Sequence, residues 1–214
     1  MMTATVTSRH AHPAKQERSQ RNLERIVSAA ETVLSRDGWD AFTMKAVADE
    51  ADASVGGIYR RFASKEQLLR AIKDNVLTRA DAMHKEIASY KAKSLADAVA
   101  RYSRQRIDSL TSYAEILRKI LDAQQRPDEV MENRGRQSVQ VGMDTFRTMV
   151  IPHKAEIGHA DPELAIEFAF YVFNAAILRK MHAYASESVF EHVDWEIMKA
   201  EATTLIVSYL KGSA

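Results

Sequence analysis

The chain has 214 residues, of which 46% are hydrophobic and 28% are charged, and its formal net charge is +1. This composition predicts a globular protein of one or two domains, although the near-neutral total says nothing about its partners. Seven glycines and four prolines favour long helices over turn-rich β architecture, and the absence of cysteine excludes disulfides, thiolate metal sites and cysteine nucleophiles. The sequence has no apolar run of about 18 residues and no signal peptide, so we expect a cytoplasmic protein.

The N-terminal part of the sequence predicts short helices. Residues 1–16 show no apolar periodicity, which predicts a mobile tail. The apolar residues that follow recur at helical spacing, and Gly38 predicts a left-handed stop to this first helix. Thr43 is placed to cap a short second helix, and Ser54 is placed to cap a third after a turn of a few residues. Short helices joined in this way predict a helix-turn-helix domain at 17–64.

Longer helices are predicted after this domain. Ser64 and Gln67 have the spacing of a capping box, and Asp161 before a proline marks another helix start. The chain is therefore predicted to be all-α, with a larger helical domain at 65–214. The helices expected there are 65–91, 95–111, 113–124, 128–151, 162–185 and 190–211, with Asp194 as an alternative start for the last.

Charge and glycine are distributed unevenly in the helix-turn-helix segment. Residues 54–73 carry five basic side chains against one acidic side chain, whereas 31–52 carry two basic against six acidic ones. Gly56 and Gly57 follow the Ser54 cap and therefore fall in the first helical turn. Missing side chains at this turn would let DNA approach the free backbone N–H groups closely.

The residues after the glycines supply donors for phosphate groups. Tyr59, Arg60, Arg61 and Lys65 carry hydroxyl, guanidinium and ammonium groups within seven positions. An alternative is that the glycines only allow tight helix packing and that the charged side chains are solvated. The cap, the turn and the charge all favour one DNA-binding surface.

The run AFTMKAVADEADASVGGIYRRFASKEQLL, residues 41–69, resembles the signature of the TetR family of transcriptional regulators. A glycine and an aromatic residue after the first helix belong to the same pattern. The positions that match are Gly38, Trp39, Thr43, Val47, Ala48, Ala51, Ser54, Gly57, Tyr59, Phe62, Ser64, Lys65, Glu66 and Leu68.

The resemblance implies roles for individual residues in binding DNA. Thr43 and Lys45 would contact phosphate at the start of the second helix. Ser54, Val55 and Gly57 would face the major groove. The complete set of candidate DNA-binding residues is Thr43, Lys45, Ser54, Val55, Gly56, Gly57, Tyr59, Arg60, Arg61 and Lys65.

Two departures from the family pattern matter, at Asp52 and Gly57. Asp52 stands where glycine is common in the turn, and aspartate tolerates the left-handed conformation, so we expect the turn to survive. Gly57 stands where many members carry threonine, which puts one base or phosphate contact in doubt. Arg61 stands where histidine is frequent and could compensate for that contact. Tyr59 and Lys65 match the family and would contact the DNA backbone.

The resemblance also implies a homodimer formed through the last two helices. A stripe of mostly small residues on the helix at 162–185 would allow a partner helix to approach closely. An alternative is that this stripe and the bulkier one described below both belong to the core of the monomer. The candidate dimer residues are Ala165, Ala169, Val172, Ala176, Trp195, Met198, Ala202, Leu205 and Tyr209, with Ala183 continuing the first stripe. A bulkier stripe, Ile166, Phe170, Phe173, Ile177 and Met181, would point into the domain.

The central helices are where the family holds a small-molecule effector. Asn174 is the most suggestive residue, because an amide in an apolar stretch needs partners. The methionine and aromatic residues favour a hydrophobic or aromatic effector. The candidate ligand-binding residues are Met83, Tyr102, Arg106, Leu117, Phe146, Met149, Phe173 and Asn174.

The sequence therefore predicts a repressor that binds a palindromic operator as a dimer and is released by an effector, with no cofactor, metal or membrane partner. One alternative is a helical DNA-binding protein without a ligand that organises the chromosome. Another is an enzyme, for which His153, Glu156, His159 and Asp161 could bind a metal. No phosphate-binding loop, dinucleotide-binding or serine-hydrolase motif supports that reading.

Overall fold

A computed structural model describes residues 11–124, 127–181 and 192–212, and every regular element in these ranges is a helix, which confirms the predicted all-α class. None of the described helices is long and apolar enough to cross a membrane. The elements are α1 (Ala11–Ala41), α2 (Met44–Glu50), α3 (Val55–Tyr59), α4 (Lys65–Ala88), α5 (Leu95–Ala123), α6 (Glu129–Val150), a 3-10 helix (Ile151–Glu156), α7 (Pro162–Met181) and α8 (Trp195–Lys211).

The chain divides into two compact units between Ile72 and Lys73, inside α4. The sequence placed the boundary at the start of this helix, after residue 64. The first two turns of α4 bury Leu68, Leu69 and Ile72, and these residues belong to the N-terminal unit. A capping box marks where a helix begins, but it does not mark which unit the first turns of that helix pack into.

In the N-terminal unit, α1 begins earlier than predicted. The sequence assigned residues 1–16 to a mobile tail, but 11–16 are helical, and 1–10 lie outside the described residues. Pro13 falls in the first turn, where a missing amide hydrogen leaves no helical hydrogen bond unmade. Residues 11–16 lack the apolar periodicity on which the prediction rested, so the sequence provided no signal for this start of α1. The core of the unit is formed by Ile26, Val33, Leu34, Phe42, Val47, Ile58, Phe62 and Leu68.

Gly38 interrupts α1 as a kink. Its φ of 75° confirms the positive φ predicted there, but its ψ of −177° is extended and not left-handed helical. The helix therefore bends at Gly38 and continues to Ala41. Trp39 and Phe42 stack after the bend with ring centroids 5.6 Å apart.

The C-terminal unit is built around α5, which the sequence split into two helices near residue 112. Thr111 and Ser112 lie at the predicted break, and their hydroxyls donate to the carbonyl oxygens of Asp108 and Ser109, at 2.9 and 2.6 Å. Bonds of this kind let hydroxyl residues remain within a helix. The core surrounds Tyr102 with the rings of Phe146, Phe170 and Phe173, at centroid distances of 5.0, 6.5 and 5.9 Å.

The end of the C-terminal unit can be compared with the prediction at three places. A 3-10 helix with Pro152 at its start follows α6, where a loop was expected. The last helix begins after Asp194, the alternative start given above, whose carboxylate accepts from the Ile197 amide at 2.8 Å. Gly212 closes it with a φ of 66°, as predicted. The helix at 162–185 is described only to Met181, so the predicted end and Ala183 lie outside the described residues.

The segment at 158–159 is fastened to the last turn of α8. The Gly158 amide donates to the carbonyl oxygen of Leu210 at 2.9 Å, and His159 Nε2 lies 2.6 Å from the carbonyl oxygen of Tyr209. The carbonyl groups in the last turn of a helix have no partner within that helix. The carbonyl oxygen of Leu210 therefore gains a partner outside α8, whereas that of Tyr209 also accepts from the Gly212 amide that closes the helix.

Candidate functional site

The start of α2 is capped as the sequence predicted. Thr43 has an extended backbone, and its Oγ1 accepts from the Ala46 amide at 3.1 Å. Met44 and Val47 are buried below it, while Lys45 is exposed and its Nζ lies 2.7 Å from Asp49. The exposed surface at this helix start therefore carries a hydroxyl cap and a lysine, next to free backbone N–H groups.

The turn between α2 and α3 is built on Asp52, whose φ is 47°. The aspartate thus adopts the left-handed conformation that the sequence expected of it in place of glycine. The Ala53 amide then donates to the Ala48 carbonyl at 2.9 Å and the Ala51 amide to the Val47 carbonyl at 2.9 Å. These bonds close α2 and direct the chain into α3.

α3 is short, capped and exposed on one side. Ser54 Oγ accepts from the Gly57 amide at 3.0 Å, which confirms the predicted cap. Ile58 is fully buried and anchors the helix, whereas Val55 and Tyr59 are 38% and 54% exposed. The outer face of α3 therefore presents an apolar side chain and a phenol beside glycine, a surface suited to base edges and phosphates.

The two glycines of α3 differ in what surrounds them. A Cβ added at Gly56 would meet nothing within 4 Å, whereas one at Gly57 would lie 3.1 Å from Ser54 Oγ. Neither position lies against another helix at that distance, which argues against the alternative that both glycines serve tight helix packing. Gly57 makes room for the capping hydroxyl, and Gly56 leaves open space on the exposed face.

The basic side chains after α3 are held in place by α1. Lys65 Nζ lies 4.0 Å from the centroid of the Trp39 ring, a cation–π distance. Arg61 Nη2 donates to Ser19 Oγ at 3.1 Å. The cap of α4 differs from a standard capping box in one bond. Ser64 Oγ accepts from the Gln67 amide at 3.4 Å, but the Gln67 side chain accepts from the amide of residue 63 and not from that of Ser64. Lys65 thus lies at the start of α4 in a defined position.

The acidic side chains of 31–52 are partly neutralised, which the charge count alone did not reveal. Arg36 donates to both oxygens of Asp37 at 2.8 and 2.9 Å and to Glu50 at 2.9 Å. The guanidinium therefore joins α1 to the end of α2. Asp37 is next to Arg36 in the sequence, but Glu50 is 14 positions away, and only the fold brings it to Arg36.

A cavity of about 190 Å³ lies within the C-terminal unit, among α4, α5, α6 and α7. Of the predicted effector residues, Arg106 and Leu117 line it. Tyr102, Phe146, Met149 and Phe173 instead lie in the closed core, Met83 is exposed, and Asn174 is half-buried away from the lining.

Several predicted effector residues do not line the cavity because their side chains fill the core. The Tyr102 ring is enclosed by aromatic rings, and its hydroxyl donates to the Gly142 carbonyl oxygen at 3.1 Å, so its polar atom is satisfied inside the core. The sequence missed Lys73 and Tyr113, which do line the cavity. Their helical spacing to other lining residues, such as Leu77 and Leu117, was the only signal available.

The exposed apolar face of α7 is offset by one position from the predicted dimer stripe. Ala165, Ala169 and Ala202 are buried against their own chain, so these three predicted residues are not on its exposed surface. The exposed residues are Leu164, Phe168 and Tyr171, with Tyr171 68% exposed. Among the other predicted dimer residues, Leu205 is exposed, and the half-buried ones are Val172, Ala176, Trp195, Met198 and Tyr209.

The four residues considered as metal ligands have structural partners instead. Glu156 Oε1 accepts from the Leu95 amide at 2.9 Å and lies 3.5 Å from His153. Asp161 caps α7 by accepting from the Leu164 amide at 3.1 Å. His159 contacts the last turn of α8, as described above. Among the residues that the structure describes, no group of potential ligands could hold a metal ion.

Comparison with known proteins shows which family this geometry is similar to. The model of the family described as bacterial regulatory proteins, tetR family, matches residues 26–72. The transcriptional repressor KstR of Mycobacterium tuberculosis is 39% identical over 66 residues, which are 31% of this chain and 30% of the repressor. The match therefore spans about a third of that relative.

Solved structures share the fold over most of the chain. A proposed TetR-family regulator of Mesorhizobium loti superposes with a TM-score of 0.63 at 18% identity, covering 90% of this chain and 96% of that chain. The regulator FadR of Bacillus subtilis, in complex with stearoyl-CoA, superposes with a TM-score of 0.62 at 14% identity, covering 89% and 99%.

These findings confirm the resemblance stated from the sequence, and the named relatives are transcriptional regulators and not enzymes. The matched residues include both helix caps, the left-handed turn and the whole of α3. The N-terminal unit of this chain therefore contains the segment that matches the model of the bacterial regulatory proteins of the tetR family.

Proposed function

We propose that this chain is a transcriptional repressor that binds a palindromic operator as a homodimer and releases it when a small effector occupies the C-terminal unit. The observation that carries the proposal is the capped, exposed α3, with Val55, Gly56 and Tyr59 on its outer face, inside a domain that matches the tetR family. As a DNA-binding regulator, it would act in the cytoplasm.

The DNA contacts are assigned by position and chemistry. The start of α3 enters the major groove, where Ser54, Val55 and Gly56 approach base edges. Tyr59 and Lys65 contact phosphates on the flanks and fix the register of α3 without reading sequence. The cation–π contact with Trp39 supports this role for Lys65, because it limits the positions that the ammonium group can take.

A dimer is supported by the exposed face of α7 and α8, which carries Leu164, Phe168, Tyr171 and Leu205. Phe168 also packs beside Tyr209 of α8, with ring centroids 5.5 Å apart, so the two helices share this face. Contiguous exposed apolar side chains are typical of protein–protein interfaces. Two copies would place two α3 helices on half-sites about 34–36 Å apart, or a multiple of that distance.

Effector control is supported by the cavity and by structural relatives. The cavity is lined mainly by apolar side chains, which suits a hydrophobic or aromatic molecule. Two proteins of the same fold were solved with bound small molecules, FadR with stearoyl-CoA and the multidrug binding protein EbrR with imidazole. Occupation of the cavity would favour a conformation with lower operator affinity, a coupling usually worth about 1–3 kcal/mol.

The test is to select genomic DNA fragments with the full chain and to measure binding of the recovered duplex by gel shift. Tyr59→Ala and Lys65→Ala should weaken binding to all sequences similarly, and Lys65→Ala should reduce the salt slope by about 1. Lys85→Ala is the matched control, because Lys85 is exposed near the other end of α4.

Two results would contradict the proposal. Recovery of random fragments would mean that α3 reads no sequence. Wild-type affinity for both Tyr59→Ala and Lys65→Ala at moderate salt would mean that the assigned flanks do not contact phosphate. A circular dichroism spectrum and melting curve of each variant would show that any loss of binding reflects DNA contacts and not unfolding.

A further inference from the structure

The cavity of the C-terminal unit combines an apolar wall with two cationic side chains. Leucine, isoleucine, valine and methionine side chains form most of the lining, whereas Lys73 and Arg106 also line it. No carboxylate is among the described residues that line the cavity. A positive charge that is partly removed from water needs a negative partner, and the lining itself does not provide one.

Arg106 has one hydrogen bond to a neutral group. Its Nη1 donates to the hydroxyl oxygen of Tyr113 at 3.2 Å, and Ser109 Oγ donates to the same oxygen at 3.1 Å. Because the Tyr113 oxygen accepts twice, its own hydrogen can donate to a further acceptor. Arg106 and Tyr113 together therefore offer N–H and O–H donors at one cavity wall, a set that matches the two oxygens of a carboxylate.

Lys73 brings a second positive charge to the lining. Its burial lowers the pKa of the ammonium group, while the charges of Asp128 and Glu132 oppose that shift. An anion inside the cavity would favour the charged form of Lys73 in the same way. Both cations are therefore better stabilised with an anion in the cavity than without one.

We propose that this cavity binds a small organic anion, a carboxylate attached to a compact apolar body, with Arg106 and Tyr113 holding the carboxylate. The inference rests on the proposed function in that this anion would be the effector, but it concerns the ligand class and not the DNA. The apolar body lies against side chains such as Leu77, Leu110 and Ile120.

The cavity volume limits the size of the ligand. A cavity of about 150 Å³ lined by apolar side chains is large enough to bind benzene, so a cavity of about 190 Å³ fits a molecule of roughly ten non-hydrogen atoms. This corresponds to one aromatic ring with an acetate arm or to a straight chain of about eight carbons. Long acyl chains do not fit without rearrangement of the lining.

The experiment uses two matched pairs of probes and the full chain. Octanoate and phenylacetate are titrated by calorimetry beside their neutral amides, octanamide and phenylacetamide, which have the same size and apolar body. At least one acid should bind at least tenfold more tightly than its amide. Arg106→Met keeps a long apolar stem but removes the charge, so the ratio of acid to amide affinity should fall to about one.

Two further variants keep the inference testable. Lys73→Met should lower the ratio of acid to amide affinity, and it provides a second test if Arg106→Met does not fold. Arg104→Met is the matched control on the same helix, because Arg104 is exposed and does not line the cavity, and it should keep the wild-type ratio. Melting curves of each variant would establish that the fold is intact.

The outcomes separate this inference from the proposed function. Equal affinities of each acid and its amide, or no binding of either acid at millimolar concentration, would overturn the anion assignment. Operator binding by the same preparation would then still support the repressor. An acid that binds through Arg106 but leaves operator affinity unchanged would support the ligand class and contradict its role as effector.

Discussion

Gly56 and Gly57 are identical neighbours with different surroundings, and Gly56 gives the sharper prediction. A Cβ at Gly56 meets nothing within 4 Å, so Gly56→Ala should keep the fold and raise the free energy of unfolding by up to about 1 kcal/mol. If α3 approaches DNA at this position, the same methyl group should weaken operator binding at least tenfold. Urea unfolding and a gel shift measure the two effects.

Gly135→Ala is the matched control for this substitution. Gly135 lies inside α6, and the nearest atom to an added Cβ is Lys73 Nζ at 4.0 Å. The control should therefore also increase stability but leave operator affinity unchanged. Wild-type operator affinity for Gly56→Ala would show that the start of α3 does not lie close to the duplex.

His84 gives a prediction about pH. It is 2% exposed, its ring packs beside Tyr102, and its Nδ1 has no hydrogen-bond partner in the described part of the chain. Burial, and then the charge of Arg106, lower the pKa of His84 to about 4, although Asp81 opposes the shift. The folded state therefore binds fewer protons than the unfolded state between about pH 6.5 and pH 4, so stability falls as the pH drops through this window.

His84→Leu should remove this part of the pH dependence. A pKa lowered from 6.5 to about 4 corresponds to roughly 3 kcal/mol of stability that is present above pH 6.5 and lost below pH 4. Urea unfolding should show that the variant loses less stability than the wild type between pH 7 and pH 4, by about 3 kcal/mol. The difference between the two proteins at pH 7 reports the change in packing alone. Equal losses in both proteins would mean that His84 can be protonated within the fold.

At the scale of elements, the contact between Gly158 and α8 gives a prediction about stability. A Cβ at Gly158 would overlap the carbonyl oxygen of Lys211, and the Gly158 backbone is held against this turn by the hydrogen bond from its amide to the Leu210 carbonyl oxygen. Gly158→Ala should therefore lower the free energy of unfolding by about 1–3 kcal/mol, as overpacking usually does. Gly135→Ala in the same unit is the control and should not destabilise. An unchanged urea midpoint for Gly158→Ala would show that this segment can shift away from α8 without loss of stability.

The starts of helices could be predicted from the sequence because a cap is a local structure. Thr43, Ser54 and Asp161 each accept a hydrogen bond from the backbone amide three residues later, as their positions indicated. Continuity was harder to predict. The break expected near residue 112 is absent because two hydroxyls bond to carbonyls of the preceding turn, and hydroxyl residues also occur in real breaks.

At the scale of the whole molecule, the exposed face of α3 could be predicted and the cavity largely could not. Val55, Gly56 and Tyr59 lie on one exposed side of a short helix whose cap and turn are fixed by neighbours in sequence. The cavity depends on how four helices pack, so an aromatic residue such as Tyr102 can equally fill the core. Apolar spacing identifies an inward face of a helix, but it does not separate filled from empty space.

The exposed face of α7 and α8 predicts how the chain assembles. Phe168→Glu places a charge among Leu164, Tyr171 and Leu205, and a buried unpaired charge strongly disfavours an interface. Sedimentation equilibrium should show a dimer for the wild-type chain and a monomer for the variant, with weaker operator binding. Val130→Glu, at an exposed apolar position of α6, is the control and should remain dimeric. A dimeric Phe168→Glu variant would contradict the assigned interface.

The division of the chain between Ile72 and Lys73 has a consequence for the hydrogen exchange of α4. One continuous helix belongs to two cooperative units, and each unit opens with its own free energy. Amides in the first two turns of α4 should exchange with deuterium when the N-terminal unit opens, and amides beyond Leu77 should exchange when the C-terminal unit opens. Protection should therefore change in a step along a single helix, and a molecule bound in the cavity should slow exchange on one side of that step only.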